Sequence, residues 1–129
     1  MNARKRYVKR ETEYVVAVQV DLDTDGFTYR TWGGLQRCKA GDWLVNSAGD
    51  TYTVDRDTFE RTYRASGPGQ YVKTTPVWAE VATTSGDVHT KEGTTHYEPG
   101  DYLVYNEQGG GDAYAVSKED FDRMYEPHE

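Results

Sequence analysis

The 129 residues suffice for one ordinary domain or two very small ones, and at 36% hydrophobic and 13% aromatic any core must lean on large rings. Charge is unevenly spread: residues 1–65 hold 11 basic against 10 acidic residues and residues 66–129 hold 4 against 12, giving −7 overall. A net acidic chain makes a poor general nucleic-acid binder, and no apolar run approaches the roughly 20 residues that cross a bilayer. The opening residues are basic but lack the apolar stretch and cleavage site of a secretory signal. Cys38 has no second cysteine to pair with. The expected setting is therefore soluble and cytoplasmic.

In chain order, Tyr14-Val15-Val16-Ala17-Val18-Gln19-Val20 reads as a central strand. Asp25-Gly26 predicts a turn, and Phe27 to Trp32 predicts the return strand, broken by Gly33-Gly34. Ala40-Gly41-Asp42 is a tight turn into the strand Trp43-Leu44-Val45. A hairpin at Ser47-Ala48-Gly49-Asp50 returns through Tyr52-Thr53-Val54. Asp55 then caps a short helix on which Phe59 and Tyr63, at i and i+4, share a face.

The second half repeats this order. Pro99-Gly100-Asp101-Tyr102-Leu103-Val104 matches the turn and strand at 40–45, and Tyr114-Ala115-Val116 matches Tyr52-Thr53-Val54. Phe121 and Tyr125 match Phe59 and Tyr63, on a helix capped by Ser117 with Asp120 three residues on. More weakly, Tyr71-Val72-Lys73 matches Tyr7-Val8-Lys9, and Val77 to Val81 matches Val16 to Val20. Extra residues in the second half fall in Gln108-Gly109-Gly110-Gly111, where a hairpin loop tolerates insertion. The expected architecture is a mainly β, α+β fold: two tandem copies of a small antiparallel β unit, each ending in a short helix, with a barrel-like closure as one arrangement. The units span 1–64, including a basic N-terminal arm, and 71–129, with a linker over 65–70. Neither buries much core alone, so the two are expected to pack as one body.

The pattern resembles a group of small bacterial and phage proteins that carry a Pro-Gly-Asp-Tyr/Trp turn and end in a Phe-x-x-x-Tyr helix. The first half carries it in Tyr7, Lys9, Ala17, Gln19, Gly41, Asp42, Trp43, Tyr52, Phe59, Glu60, Thr62 and Tyr63. The second carries it in Tyr71, Lys73, Pro99, Gly100, Asp101, Tyr102, Tyr114, Phe121, Tyr125 and Glu126. The resemblance implies a fold and supplies no catalytic residues. Ala40, standing where the signature has Pro, departs from it.

Candidate chemistry is sparse. Asp21, Asp23 and Asp25 begin like a calcium loop, but its twelfth position is Trp32 where a bidentate Glu is required, and an acidic turn accounts for them. Asp42 and Asp101 occupy equivalent turns and would be catalytic or ligand-binding only if those turns met. His89 and His96 lack zinc spacing, and Cys38 has no histidine near it in sequence. Arg4, Lys5, Arg6, Lys9 and Arg10 form a basic arm in which Tyr7 could stack on a base. These residues favour a non-catalytic binding module, of phage or mobile-element origin, with a protein or small-molecule partner and no cofactor or membrane. Its surface is expected in a groove lined by Trp32, Trp43, Trp78, Tyr102 and Tyr105, with core packing the alternative for Trp43 and Tyr102. The rival readings are a small hydrolase or nucleotide-processing enzyme using the turn carboxylates, and a nucleic-acid-linked regulator using the arm.

Overall fold

Short β-branched and aromatic segments with period-two alternation bury one face each, and the chain converts them into strands of three to five residues. The computed structural model describes residues 4–10 and 13–128 and is mainly β, with 53% strand and 11% helix. Every strand pairing is antiparallel.

The first sheet joins β2 (Val15–Gln19), β5 (Trp43–Ser47), β6 (Asp50–Val54), β7 (Tyr63–Gly67) and β8 (Gln70–Lys73) in the order β6-β5-β2-β8-β7. The second joins β1 (Lys5–Lys9), β9 (Val77–Val81), β12 (Tyr102–Tyr105), β13 (Ala113–Val116) and β14 (Tyr125–Pro127) in the order β13-β12-β9-β1-β14. Two hairpins, β3 (Phe27–Thr31) with β4 (Gly34–Cys38) and β10 (Gly86–Thr90) with β11 (Gly93–Tyr97), meet along β4 and β11 as a third sheet. None of the three closes into a barrel.

Helix α1 (Arg56–Thr62) begins where Asp55 accepts the Thr58 amide, and α2 (Lys118–Met124) where Ser117 accepts that of Asp120. Each helix places one phenylalanine on its sheet. Phe59 is stacked between Trp43 (4.1 Å) and Tyr63 (4.6 Å), and Phe121 between Tyr102 (4.0 Å) and Tyr125 (4.8 Å). A further ring meets each phenylalanine edge-on, Tyr71 at 5.1 Å and Tyr7 at 4.8 Å. Two separate cores result, one on Val15, Ala17, Val45 and Phe59, the other on Val77, Ala79, Val104 and Phe121.

Strand membership crosses the chain's midpoint. β1 pairs with β9 and β14, so Tyr7 lies in the core of the second sheet, while β8 pairs with β2 and puts Tyr71 in the core of the first. The stretch 65–70, expected as a linker, is the end of β7, a turn at Pro68-Gly69 and the start of β8. It is ordered because Tyr71 and Lys73 must reach across to the first sheet. The expected return strand also differs: β3 pairs with β4 through a two-residue turn at Trp32-Gly33, not with β2. Gly33 is needed there, since its φ is +85° and a Cβ would collide with the Thr95 side chain of the neighbouring hairpin.

Candidate ligand cavity between the sheets

Strand alternation sends Tyr52 of β6 and Tyr114 of β13 inwards, and the helix ends send Tyr63 and Tyr125 the same way. Lys9 and Lys73 close β1 and β8 as the cross-strand partners of Tyr125 and Tyr63. Side chains from both five-stranded sheets and from the third sheet thus line a cavity of about 140 Å³, including all four tyrosines, Lys73 and Glu92. That volume is close to the roughly 150 Å³ engineered cavity that binds benzene, and this mostly apolar lining also carries tyrosine hydroxyls, an amine and carboxyl groups.

Both lysines are about nine-tenths buried. Lys73 Nζ donates to Asn106 Oδ1 at 2.7 Å and to the Tyr114 hydroxyl at 3.0 Å, and neither partner carries charge. Burial above all, and then Lys9, pulls the Lys73 amine down to about 7. Lys9 Nζ sits 5.7 Å from the ring centres of both Tyr63 and Tyr125, and burial lowers it to about 8. Burial likewise holds the hydroxyls protonated, pushing Tyr52 up to about 12 and Tyr63, Tyr114 and Tyr125 well above the ordinary tyrosine value.

The acids at the rim are managed differently on the two sides. Asp112 accepts from the Asn106 amide at 2.9 Å and the Thr58 hydroxyl at 3.3 Å, and lies 3.8 Å from Arg61 and 4.0 Å from Lys91. Glu92 accepts the Asp55 amide at 3.1 Å, yet burial and then Asp112, Asp42 and Asp55 push it up to about 7. Opposite, Asp50 is hydrogen-bonded to Asp120; that bond, and then burial, raises Asp50 to about 6. The same bond holds Asp120 low.

The candidates from sequence scatter around this cavity. Trp32 reaches its rim, half-exposed. Trp43 and Tyr102 are stacked in the two separate cores, so the expected groove of five rings does not form. Trp78 and Tyr105 are cross-strand neighbours in the second sheet, with Arg6 opposite Trp78 and the Arg4 guanidinium 3.9 Å above the Tyr105 ring. Asp42 accepts the Lys39 amide and ammonium, and Asp101 the Glu98 amide, each within its own turn.

Asp21, Asp23 and Asp25 are exposed, and among the described residues no three His, Cys, Asp or Glu side chains group as a metal requires. Within the arm, Lys5 and Arg6 are exposed, Arg4 pairs with Glu80, and Arg10 pairs with Glu126. Tyr7 and Lys9 are turned inwards, away from any nucleic acid. His96 lies between Glu98 and Asp87, which raise its pKa, and Cys38 is buried with its thiol pushed up by burial.

Sequence reading missed Lys73, Glu92, Asn106 and Asp112 as site residues. The one available signal was a lysine recurring after Tyr-Val in both halves, at Lys9 and Lys73. Compared with known proteins, the chain matches no protein-family model, no curated protein and no solved structure. Among the described residues no helix is long and apolar enough to cross a membrane.

Proposed function

We propose that the chain is a non-catalytic binding module, built by tandem duplication of one β unit, whose ligand is a small molecule held in the cavity between the two five-stranded sheets. The observation that carries this reading is the cavity itself: about 140 Å³ of space lined by four tyrosines and a buried lysine whose hydrogen-bond partners are uncharged. A lysine needed only for packing would be replaceable by an apolar residue at no loss. That Lys73 keeps its amine at the wall of this space, with Lys9 buried at the matching position of the other half, supports a role at the centre of the molecule. The like strand orders of the two sheets support the duplication, and the resemblance to small bacterial and phage proteins keeps a mobile-element origin as part of the proposal. Asp42 and Asp101, each engaged in its own turn, weigh against a hydrolase built on them.

The test is a thermal-shift screen of small neutral aromatics and aldehydes against nucleotides, divalent cations and short nucleic acids. A ligand present at about 100 times its dissociation constant adds roughly 2.7 kcal/mol to native stability, which moves the melting temperature by several degrees. A shift from the small neutral compounds that disappears in Tyr114→Phe supports the cavity reading. A shift only from other classes, or one indifferent to Tyr114→Phe, sinks it.

A second reading rests on the outer face of the second sheet, where Arg4, Arg6, Trp78 and Tyr105 adjoin. Arg4 covers the Tyr105 ring, which is 8% exposed, so Trp78 with Arg6 beside it is the ring left for a base to stack on. On this reading Arg6→Glu with Trp78→Ala abolishes retention of a short single-stranded oligonucleotide at low salt. Unchanged retention removes it.

A further inference from the structure

Within the cavity the two lysines are not equivalent. Asn106 and Tyr114 fix Lys73 Nζ at the wall of the open space, 2.7 and 3.0 Å away. The residue in the first sheet that corresponds to Asn106 is Ser47, and its hydroxyl turns to the Met124 sulfur at 3.1 Å. Lys9 is left over two tyrosine rings and does not line the open space. Lys73 is thus a positioned amine facing a void, with a hydroxyl beside it.

The ligand's charge can be argued from the lining. Asp50, Asp55, Glu92, Asp112 and Asp120 all border the cavity, and Glu92 is already held back from ionising by burial and by the carboxylates near it. A site that resists ionisation of its own glutamate is a poor host for an added anion. The cations nearest that rim, Arg61 and Lys91, already face Asp112 and Asp55. A neutral group able to react with a neutral amine meets these conditions, and a carbonyl is such a group.

We infer that Lys73 is a carbonyl-capturing residue: the cavity takes a small aldehyde or ketone and holds it as a reversible imine on Lys73 Nζ. This rests on the cavity being the ligand site. The nitrogen lone pair attacks the carbonyl carbon and forms the C–N bond as the carbonyl π bond breaks and its electron pair moves to oxygen. One amine proton passes to the oxygen to give a carbinolamine. The C–O bond then breaks, and the oxygen leaves as water with both former amine protons. Tyr114 is placed to relay a proton, giving its hydroxyl hydrogen to the departing oxygen and regaining one from nitrogen. No electrons change hands, so the step needs no further reagent. The depressed basicity of Lys73 supplies the neutral amine near pH 7, where an ordinary lysine is almost wholly protonated.

The experiment is reductive trapping on the intact chain: butanal with cyanoborohydride at pH 7, followed by peptide mapping. Lys73 is expected to be alkylated at least about tenfold faster than exposed Lys5 or Lys118, and faster than buried Lys9. Tyr114→Phe should slow labelling at Lys73 while leaving Lys5 and Lys118 unchanged. Uniform labelling, or labelling at Lys9 in preference to Lys73, overturns the inference. Because the wild-type map compares lysines within one molecule, it does not depend on a variant folding. Butanol, of similar size but without a carbonyl, separates the two levels of argument. If butanol shifts the melting temperature and Lys73 stays unlabelled, the imine fails and the cavity reading stands. If butanol and butanal both bind nowhere, both fail.

Discussion

The two five-stranded sheets use the same ring framework and the same buried lysine and differ in many of the polar residues around them. Each has a phenylalanine stacked between two aromatic rings and touched edge-on by a tyrosine from the other half of the chain. At the cavity, however, Thr58 and Thr62 of α1 stand where α2 has Asp120 and Met124, and Ser47 stands where the second sheet brings Asn106. On the outer faces, the first sheet shows Val16 and Val18, whereas the second shows Trp78 and Glu80 beside Arg4. Stacked rings tolerate little change in volume or geometry, so they hold the fold. The polar positions are where the two halves can diverge.

Removing the shared element should have the largest effect and should be symmetric. Phe59→Ala and Phe121→Ala each delete a ring that is at most 2% exposed and should each cost about 3–5 kcal/mol. Because β1 and β8 tie each sheet to the other half, both variants should unfold in a single transition by fluorescence and circular dichroism. Two separated transitions would mean that the sheets are independent.

A pH titration tests the lysines next. Between pH 7 and 10 the unfolded chain binds protons that folded Lys73 and Lys9 exclude, so stability rises with pH, for Lys73 on the order of 2–4 kcal/mol. Glu92 acts in the opposite sense. Its raised pKa makes the folded state the better proton binder from about pH 4.5 to 7, and the stability it contributes at low pH is lost as pH climbs through 7. Denaturant midpoints should therefore show a minimum near neutrality. Lys73→Met should flatten the alkaline limb more than Lys9→Met, and Glu92→Gln should flatten the acid limb. A monotonic profile unaffected by these changes would show that the amines are solvated.

What was legible beforehand follows the same division. Both helices, their caps and the Ala48-Gly49 hairpin were readable because each is decided within a few neighbouring residues; Tyr63 and Tyr125, expected on the helices as the ends of the two units, instead take extended backbone and begin β7 and β14. The exchange of β1 and β8 was not, because Tyr7-Val8-Lys9 and Tyr71-Val72-Lys73 offer the same face to either sheet and only the tertiary fold chooses between them. Lys9 was hidden among Arg4, Lys5, Arg6 and Arg10, a run that reads as solvated. Asn106 and Asp112 flank the lengthened loop of the second half, and neither Ser47 nor Asp50 at the matching positions of the first half signals that the two meet Lys73 and Thr58 there.

Two smaller contrasts sharpen the comparison. Asp42 is 3% exposed and holds both the amide and the ammonium of Lys39, whereas Asp101 is less buried and holds one amide. Asp42→Ala should cost about 1–3 kcal/mol and Asp101→Ala about 1 or less, measured by chemical denaturation. At the helix starts, Asp55→Ala and Ser117→Ala should each cost about 0.5–2 kcal/mol, with Asp55 the larger because Lys91 also faces it. Equal losses at both pairs of sites would erase the polar asymmetry between the halves.

The register of Tyr7 with Pro127 and of Lys9 with Tyr125 sets a timetable for the growing chain. The first sheet has all its strands once Lys73 has been made, but β1, made before them, finds β9 only afterwards and β14 only after α2. Its edge stays unpaired until then, because Phe121, the ring that Tyr7 meets edge-on, is made only with α2. Closing so long a loop is slow, and during that interval β1 of one nascent chain is free to enter the second sheet of another. The same pairing that ties the two halves into one body thus makes dilution during folding, more than any single contact, the condition for each chain to close on itself.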